Sequence, residues 1–371
     1  MFDPIKASKE IKDSYIDYIT TTFDMADTDY ERGFRKELQT DGMVASGPFL
    51  DIGGSYETGH TLRELIQAQK ASVLFENLEP VAEKERELKL DRPLYQHQET
   101  AMLKADKGEN LVVTTGTGSG KTESFLLPII NHLLREQEAG TLSAGVRAII
   151  IYPMNALAND QMKRMRALFK NYPQICYGVY NGNTEHTQSK ALAEYHRTYH
   201  DEAGEPIDPA PNEIISREVM QERPPHILIT NYSMLEYMML RPKDDAVFSG
   251  AKLKFIVLDE AHIYKGATGM ETSLLMRRLR ARISEPDSVQ YILTSATLGG
   301  PDADGDILSF AEKLCGVAFQ RSGIIRSTEK RPAMEDFLDF APALFEELQR
   351  SPDISSVLAR YHADFAPGGS E

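Results

Sequence analysis

The sequence predicts an α/β fold in which a parallel β-sheet carries helices on both faces, preceded by a helical accessory segment. From residue 94 onward, short β-branched runs alternate with longer helical patterns, which is typical of βαβ crossovers. The predicted strands are 111–114, 148–152, 175–180, 227–230, 255–258 and 291–294. Each run ends in polar or glycine residues, and ligands of parallel sheets bind beyond the carboxyl ends of the strands. We therefore expect the functional residues at that edge.

The first 92 residues carry helical patterns and no catalytic motif. Residues 3–23 open with an Asp-Pro helix start and then place apolar side chains at helical spacing. Residues 61–64 form a capping box, in which a threonine is followed three positions later by a glutamate. We interpret residues 1–92 as a helical accessory segment that contains a Gly-rich connection over 42–59 and a charged linker over 83–92.

Composition limits the class of protein. With 371 residues, the chain has room for one large or two ordinary domains and needs no disulfide or metal for stability. Cys176 and Cys315 stand far apart and in no metal-ligand spacing, so we expect buried, reduced thiols. No apolar run reaches the roughly 18 to 20 residues of a membrane span, and no signal-type stretch opens the chain, which predicts a soluble, cytoplasmic protein. The net charge of −15 opposes unspecific binding to nucleic acid, so such binding would need a local patch or a partner.

A glycine-rich loop follows the first core strand and ends in Lys-Thr at the start of a helical pattern. Backbone amides of such a loop and the helix N-terminus bind phosphate groups, the lysine reaches the β- and γ-phosphates, and the threonine hydroxyl ligates Mg²⁺. Thr115 stands where the usual pattern has glycine, and a plain Gly-Ser-Gly turn is the alternative. A plain turn has no need of Lys-Thr, so we expect a nucleoside triphosphate to bind at Thr117, Gly118, Ser119, Gly120, Lys121 and Thr122. Pro128 predicts a kink in the following helix or a displaced helix start.

Two adjacent carboxylates, Asp259 and Glu260, follow the apolar run 255–258. We expect this run to lie beside the strand that leads into the glycine-rich loop. Asp259 would then hold Mg²⁺, usually through water, and Glu260 would orient and deprotonate the attacking water. An Asp-Glu pair at a strand end is otherwise a common helix N-cap, but the phosphate loop upstream favours the catalytic interpretation.

Two weaker signals stand at either end of this core. The amide of Gln98 can both donate to and accept from adenine, and Tyr95 can pack on the ring, although taken singly Gln98 is more often a solvated helix residue. Residues 294–297 follow another apolar strand and by themselves form an ordinary Ser/Thr turn.

In this order and spacing, the motifs resemble the first RecA-like domain of a superfamily 2 helicase of the DEAD/DEAH-box kind, over residues 93–315. The resemblance implies an ATP-dependent helicase that uses ATP and Mg²⁺, with Gln98 reading adenine. It makes 115–122 the Walker A loop and 259–262 the DEAH box, so that His262 joins the nucleotide site. Ser295 and Thr297 would couple hydrolysis to strand movement. The implied contacts to a nucleic-acid backbone are Pro153, Asn155, Thr184, Thr230 and Asn231.

The exact sequences of the glycine-rich loop, of residues 180–184 and of residues 259–280 are also similar to those of one group of large bacterial DNA helicases. That group includes the MrfA-type repair enzymes and the phage-defence helicases of the DISARM and Druantia systems. The implied partners are single- or double-stranded DNA, without a distinction from RNA, and other defence-system subunits. The predicted division is a helical segment 1–92, a RecA-like domain 93–320 with an insertion 181–225, and a helical linker with a disordered tail 321–371.

A complete motor of this kind needs a second RecA-like domain that carries an arginine finger, and no such pattern follows residue 297. We expect this chain to be half of a motor, weak or inactive as an isolated ATPase, with the other half in the same full-length protein or in another chain. The alternative is a nucleotide-controlled assembly module that binds ATP and partners without unwinding. A GTPase lacks support because no Asn-Lys-x-Asp motif occurs, and a small-molecule kinase needs neither 153–157 nor 294–297. The arginines within 277–282 are expected to face helix-end carbonyls in preference to a strand.

Overall fold

A computed structural model describes the chain over residues 4–23, 25–40, 42–46, 56–78, 88–116, 118–201, 204–299, 301–330, 347 and 356–357. Asp3, Thr117 and residues 83–87 of the charged linker lie outside this range. So do the predicted helix 335–350 and the tail, except for residues 347, 356 and 357. The chain divides into two compact units, residues 1–54 and 55–371. Within the described ranges, no helix is long and apolar enough to cross a membrane.

The first unit contains two helices, α1 (Pro4–Thr22) and α2 (Thr28–Gln39). They pack against each other, and an ion pair between Arg35 and Asp17 joins them. Asp27 caps α2 by accepting a hydrogen bond from the Asp29 amide at 2.8 Å. The helical pattern read from residues 3–23 is therefore observed over its described part.

The second unit is built on a seven-stranded, fully parallel sheet. Its strands are β3 (Leu111–Thr114), β4 (Ala148–Ile151), β5 (Tyr177–Val179), β6 (Ile227–Thr230), β7 (Phe255–Leu258), β8 (Gln290–Ser295) and β9 (Ile324–Arg326). Before them, β1 (Thr58–Thr61) and β2 (Pro93–Tyr95) form a small antiparallel pair. All six predicted strands are present, which confirms the α/β class. The sequence analysis did not assign β1, β2 or the three-residue edge strand β9.

Helices cover both faces of the sheet and bury alternate residues of each strand in two cores. On one face Ile150 and Val257 pack with the helices Gln96–Asp106, Lys121–Glu138 and Asn155–Phe169. On the other face Ile151 and Leu258 pack with the helices Tyr232–Leu240, Gly266–Arg282 and Asp304–Cys315. Strands buried on both faces are continuous apolar runs, which is why the sequence signal was strong. The helices of this unit are α3 (Leu62–Gln67), α4 (Gln96–Asp106), α5 (Lys121–Glu138), α6 (Asn155–Phe169), α7 (Gln188–Thr198), α8 (Arg217–Glu222), α9 (Tyr232–Leu240), α10 (Asp245–Phe248), α11 (Gly266–Arg282) and α12 (Asp304–Cys315).

The spatial order of the strands is β5-β6-β4-β7-β8-β3-β9, which corrects one prediction. The strand before Asp259 does not lie beside the strand before the glycine-rich loop, because β8 is inserted between them. Val257 of β7 pairs with Ile292 of β8, while Val113 of β3 pairs with Thr294 of the same strand. The prediction of direct neighbours was wrong because strand order depends on contacts between distant segments.

Three local features of the sequence analysis can also be compared with the structure. Helix α5 begins at Lys121 and continues through Pro128, so the proline does not displace the helix start. The insertion 181–225 contains α7 and α8, and its buried Glu213 accepts hydrogen bonds from Arg166 of α6 at 2.7 and 2.8 Å. Cys315 is buried as expected, whereas Cys176 is partly exposed and both are free thiols. The domain boundaries at residues 92 and 320 remain predictions.

Candidate nucleotide and nucleic-acid site

The glycine-rich loop leaves β3 and turns sharply into α5. Gly118 and Gly120 have φ angles of +77° and +76°, in the left-handed region that glycine adopts readily. An ideal Cβ at Gly120 would lie 2.4 Å from Gln98 Nε2, whereas one at Gly118 would meet nothing within 4 Å. Ser119 is fully buried, and its hydroxyl donates to Thr115 Oγ1 at 2.6 Å. The loop therefore has the tight curvature that a phosphate-binding backbone requires.

The first turn of α4 holds two consecutive carbonyls of this loop. His97 Nε2 lies 2.9 Å from the Ser119 oxygen, and Gln98 Nε2 donates to the Gly120 oxygen at 3.0 Å. Gln98 Oε1 accepts from the Tyr95 amide at 2.9 Å, so both ends of the Gln98 amide are engaged within the chain. The Tyr95 ring stacks on His97 with 5.6 Å between centroids. Recognition of adenine by Gln98 and Tyr95 stays a prediction.

The lysine at the helix start contacts one of the two predicted carboxylates. Lys121 Nζ lies 3.3 Å from Glu260 Oε1, although 139 positions separate them in the sequence. Glu260 has a left-handed φ of +47°, and its other oxygen lies 3.3 Å from His262 Nδ1. That ring nitrogen is in turn 3.1 Å from Ser295 Oγ. The structure thus brings the glycine-rich loop, residues 259–262 and residues 294–297 into one cluster.

Asp259 is held between β4 and β8. Its amide donates to the Ile151 oxygen at 3.1 Å, and the Thr294 hydroxyl donates to its carboxylate. Burial raises the pKa of Asp259 above its ordinary value, and the hydrogen bond from Thr294 partly opposes that rise. A carboxylate in such a place would gain from a nearby cation.

The donor set fits a magnesium ion that arrives with a nucleotide. Among the described residues, no group of three or more His, Cys, Asp or Glu side chains could hold a metal ion. Mg²⁺ in nucleotide sites takes only one or two protein oxygens and fills its other positions with phosphate and water oxygens. The Thr122 hydroxyl and the Asp259 carboxylate are hard oxygen donors of that kind.

An open cleft of about 1060 Å³ runs along the loop and α6. The chain as a whole has a net charge of −15, yet several basic side chains lie together in this cleft. Such a local basic cluster suits an anionic ligand. Six of the predicted nucleotide-binding residues line it: Tyr95, Gln98, Gly118, Gly120, Lys121 and Thr122. The basic residues around them are Lys89, Arg92, Lys163 and Arg164, the last of which pairs with Glu123 of the same lining. Asp259, Glu260 and His262 lie outside the cleft lining, and Glu260 meets it through Lys121.

The predicted nucleic-acid contacts lie at the carboxyl ends of β4, β5 and β6. Asn231 Nδ2 donates to Asn155 Oδ1 at 2.7 Å, so these two asparagines lie together. The Thr184 hydroxyl donates to the Val179 oxygen at 2.8 Å. Thr230 is only 1% exposed, and its hydroxyl donates to the Tyr180 oxygen at 2.7 Å.

The position of Thr230 therefore suits support of the backbone better than contact with a ligand. Pro153 follows β4 at the same edge of the sheet as the asparagine pair. These roles in binding nucleic acid stay predictions.

Two residues that the sequence analysis did not single out also hold these loops. Arg217 of α8 donates to the Asn181 oxygen at 2.9 Å and to the Gly182 oxygen at 3.3 Å. His97 holds the Ser119 carbonyl. No sequence pattern marked Arg217, while the signal for His97 was only its position beside Gln98.

The arginines at the end of α11 all have partners within the chain. Arg278 pairs with Glu236 at 2.6 Å, and Arg280 and Arg282 also form ion pairs, with Asp287 and Asp245. All but Arg278 also bond backbone carbonyls. Arg277 donates to the Ser273 oxygen, Arg280 to the Gly316 oxygen and Arg282 to the Met239 oxygen. This arrangement favours the structural interpretation, although only Arg277 bonds a carbonyl of its own helix.

Comparison with known proteins gives the same assignment as the motifs. The family model described as DEAD/DEAH box helicase matches residues 95–203 and 204–304. The Druantia protein DruE of Escherichia coli is 32% identical over 87% of this chain and 22% of its own length. The uncharacterized ATP-dependent helicase YprA of Bacillus subtilis is 31% identical over 58% of this chain and 24% of its own length. The chain therefore spans about a fifth to a quarter of these relatives.

Solved structures show the same fold at low sequence identity. The DUF1998 helicase MrfA bound to DNA gives a TM-score of 0.51 at 24% identity, covering 73% of this chain and 29% of that chain. The DEAD-box helicase Mss116 bound to single-stranded RNA gives 0.52 at 16% identity, covering 83% and 55%. Both likenesses establish the RecA-like helicase fold alone.

Proposed function

The chain belongs to the DEAD/DEAH box helicase family, and from that premise we propose that it is the ATP-binding motor domain of a DNA helicase or translocase that acts in phage defence or DNA repair. MrfA was solved with DNA, which supports DNA as the substrate, and the relative DruE is a Druantia protein, which supports a role in phage defence. A cytoplasmic location accords with that substrate. The assembly-module alternative is less favoured, since several relatives are named ATP-dependent helicases.

One observation carries the proposal: the loop lysine and the second carboxylate of residues 259–262 are in contact beside a basic cleft. Lys121 Nζ and Glu260 Oε1 are 3.3 Å apart. We assign Lys121 to the β- and γ-phosphates and Glu260 to the attacking water. Mg²⁺, held by Thr122 and by Asp259 partly through water, would supply charge neutralisation at the phosphates.

The ion pair must open when a nucleotide binds. A triphosphate carries more negative charge than one carboxylate, so Lys121 is expected to leave Glu260 for the phosphate oxygens. Glu260 then no longer pairs with Lys121, and a carboxylate released from that cation is better able to accept a proton, as a general base must. Its oxygen lies 3.3 Å from His262 Nδ1, so the same event changes the surroundings of the DEAH histidine.

The nucleic-acid surface is assigned to the carboxyl ends of β4, β5 and β6. Small polar side chains there suit contact with a phosphate backbone without sequence reading. We assign direct contact to Pro153, Asn155, Thr184 and Asn231, and support of the Tyr180 carbonyl to Thr230. A second RecA-like domain, in the same full-length protein or another chain, and other defence-system subunits are the proposed partners.

The test is the thermal stability of the chain with and without Mg²⁺ and ATP. A ligand at 100 times its dissociation constant adds about 2.7 kcal/mol to the free energy of unfolding. Lys121→Ala should abolish the shift in melting temperature, whereas Lys243→Ala, which removes an exposed lysine outside the cleft, should keep it. Glu260→Gln should keep the shift, and in the complete enzyme with its second RecA-like domain it should slow hydrolysis. An undiminished shift in Lys121→Ala would move the nucleotide elsewhere.

A further inference from the structure

The His97 ring is fixed between two tyrosines beneath the glycine-rich loop. It is 2% exposed, stacks on Tyr95 at an interplanar angle of 16°, and meets Tyr56 edge-on with 5.9 Å between centroids. Tyr56 and Tyr95 also meet edge-on at 5.5 Å. Aromatic contacts of this geometry are favourable and restrict rotation of the ring. The ring therefore presents one nitrogen to the loop in a defined direction.

The hydrogen bond of His97 fixes which ring nitrogen carries the proton. Nε2 lies 2.9 Å from the Ser119 carbonyl oxygen, which can only accept, so Nε2 must be the donor. Nδ1 is buried and has no hydrogen-bond partner among the described residues. Burial also lowers the pKa of His97, which favours the neutral ring. His97 is therefore the neutral tautomer with its proton on Nε2.

A held carbonyl orients the amide that follows it. In a trans peptide, the carbonyl of one residue and the N–H of the next point to opposite sides of the same planar unit. Because His97 draws the Ser119 carbonyl toward α4, the Gly120 N–H points away from α4. Gln98 does the same one residue later, since it holds the Gly120 carbonyl and so directs the Lys121 N–H. Two successive amides are thereby aimed to the side of the loop opposite α4.

In this loop, the orientation of the peptide between Ser119 and Gly120 needs a group outside the loop to fix it. Gly118 and Gly120 are both in the left-handed region, where glycine has several accessible conformations, so the peptide between Ser119 and Gly120 is not fixed by its own sterics. The Ser119 hydroxyl bonds to Thr115 and leaves the orientation of the carbonyl to an outside donor. Among the described contacts, that donor is His97.

Resting on the proposed function, we propose that His97 is a positioning residue for the phosphate site: its Nε2–H holds the Ser119 carbonyl so that the Gly120 amide faces the phosphates. His97 touches no substrate itself. Its effect should appear in the affinity for the phosphate-bearing nucleotide and should depend on a hydrogen-bond donor at the Nε2 position.

The test compares three substitutions in the full chain. A glutamine side chain places its amide nitrogen near the position of Nε2, an asparagine reaches only the position of Nδ1, and phenylalanine keeps the ring without a donor. The dissociation constant for ATP with Mg²⁺ should stay within about twofold of the parent in His97→Gln and rise about tenfold in His97→Asn and His97→Phe. The melting temperature without nucleotide is measured for each variant.

Several results would overturn the proposal. If His97→Phe binds ATP as tightly as the parent, or if His97→Gln loses as much affinity as His97→Asn, the donor at Nε2 has no positioning role. If His97→Phe fails to fold, the comparison of His97→Gln with His97→Asn still decides. Failure of the proposed function looks different: the parent itself would show no ATP binding that Lys121→Ala removes.

Discussion

Gly118 and Gly120 offer a matched pair of substitutions, because their backbone conformations are alike and their surroundings differ. Alanine in the left-handed region costs roughly 1–2 kcal/mol at either position. Only at Gly120 does a new Cβ meet a neighbour, at 2.4 Å from Gln98 Nε2 and 3.1 Å from Glu123 Oε2. The Gln98 amide must then move and lose its bond to the Gly120 carbonyl, which costs about 0.5–1.5 kcal/mol more. Gly120→Ala should therefore destabilise the protein by about 1 kcal/mol more than Gly118→Ala.

Urea unfolding followed by far-ultraviolet circular dichroism measures this difference. The slope of the unfolding free energy against urea should be the same for both variants, so that a lower midpoint for Gly120→Ala reports stability alone. ATP with Mg²⁺ should stabilise Gly118→Ala more than Gly120→Ala, because only the second displaces Gln98 from the loop. Equal midpoints, or a lower midpoint for Gly118→Ala, would refute the packing that we derive from Gln98.

Two further outcomes follow from buried charges. Because burial raises the pKa of Asp259, the charged carboxylate destabilises the nucleotide-free protein as pH rises through the raised pKa. Asp259→Asn should therefore increase the melting temperature at pH 7, by an amount that shrinks as pH falls toward 4. A lower melting temperature of Asp259→Asn at pH 7 would contradict this. The Glu213 side chain is 2% exposed, and Arg166→Met removes its ion-pair partner. The free energy of unfolding should therefore fall by about 3 kcal/mol. A loss below about 1 kcal/mol in urea unfolding would show that the pair is dispensable.

The strands and the loop could be predicted from the sequence because their signals are local. Residues 111–114, 227–230 and 255–258 are observed as strands with the same bounds, since a continuous apolar run is required of a strand buried on both faces. The order of the strands could not be predicted this way. It follows from pairings such as Val113 with Thr294, which join segments far apart in the sequence, and the position of β8 was missed for that reason.

Which residues reach the site was easier to predict than what each side chain contacts. Gln98 was expected to offer its amide to adenine, yet both amide ends are bonded to backbone groups that only the folded chain brings near. Thr230 is likewise turned inward to the Tyr180 carbonyl. A single histidine or arginine carries no periodic signal, so the contacts of His97 and Arg217 become visible only in three dimensions.

The unexpected position of β8 gives the proposed coupling residues a physical route to both halves of the nucleotide site. On one side, the Thr294 hydroxyl donates to Asp259, and Ser295 Oγ lies 3.1 Å from His262 Nδ1. On the other side, the Thr115 amide of the glycine-rich loop donates to the Ser295 carbonyl at 3.2 Å. Two neighbouring residues of β8 therefore lie between the two halves of the site: Ser295 contacts both the loop and His262, and Thr294 contacts Asp259. The Thr297 amide donates to Ser295 Oγ at 3.2 Å, so the two residues predicted to couple hydrolysis to movement are bonded to each other at the end of this strand.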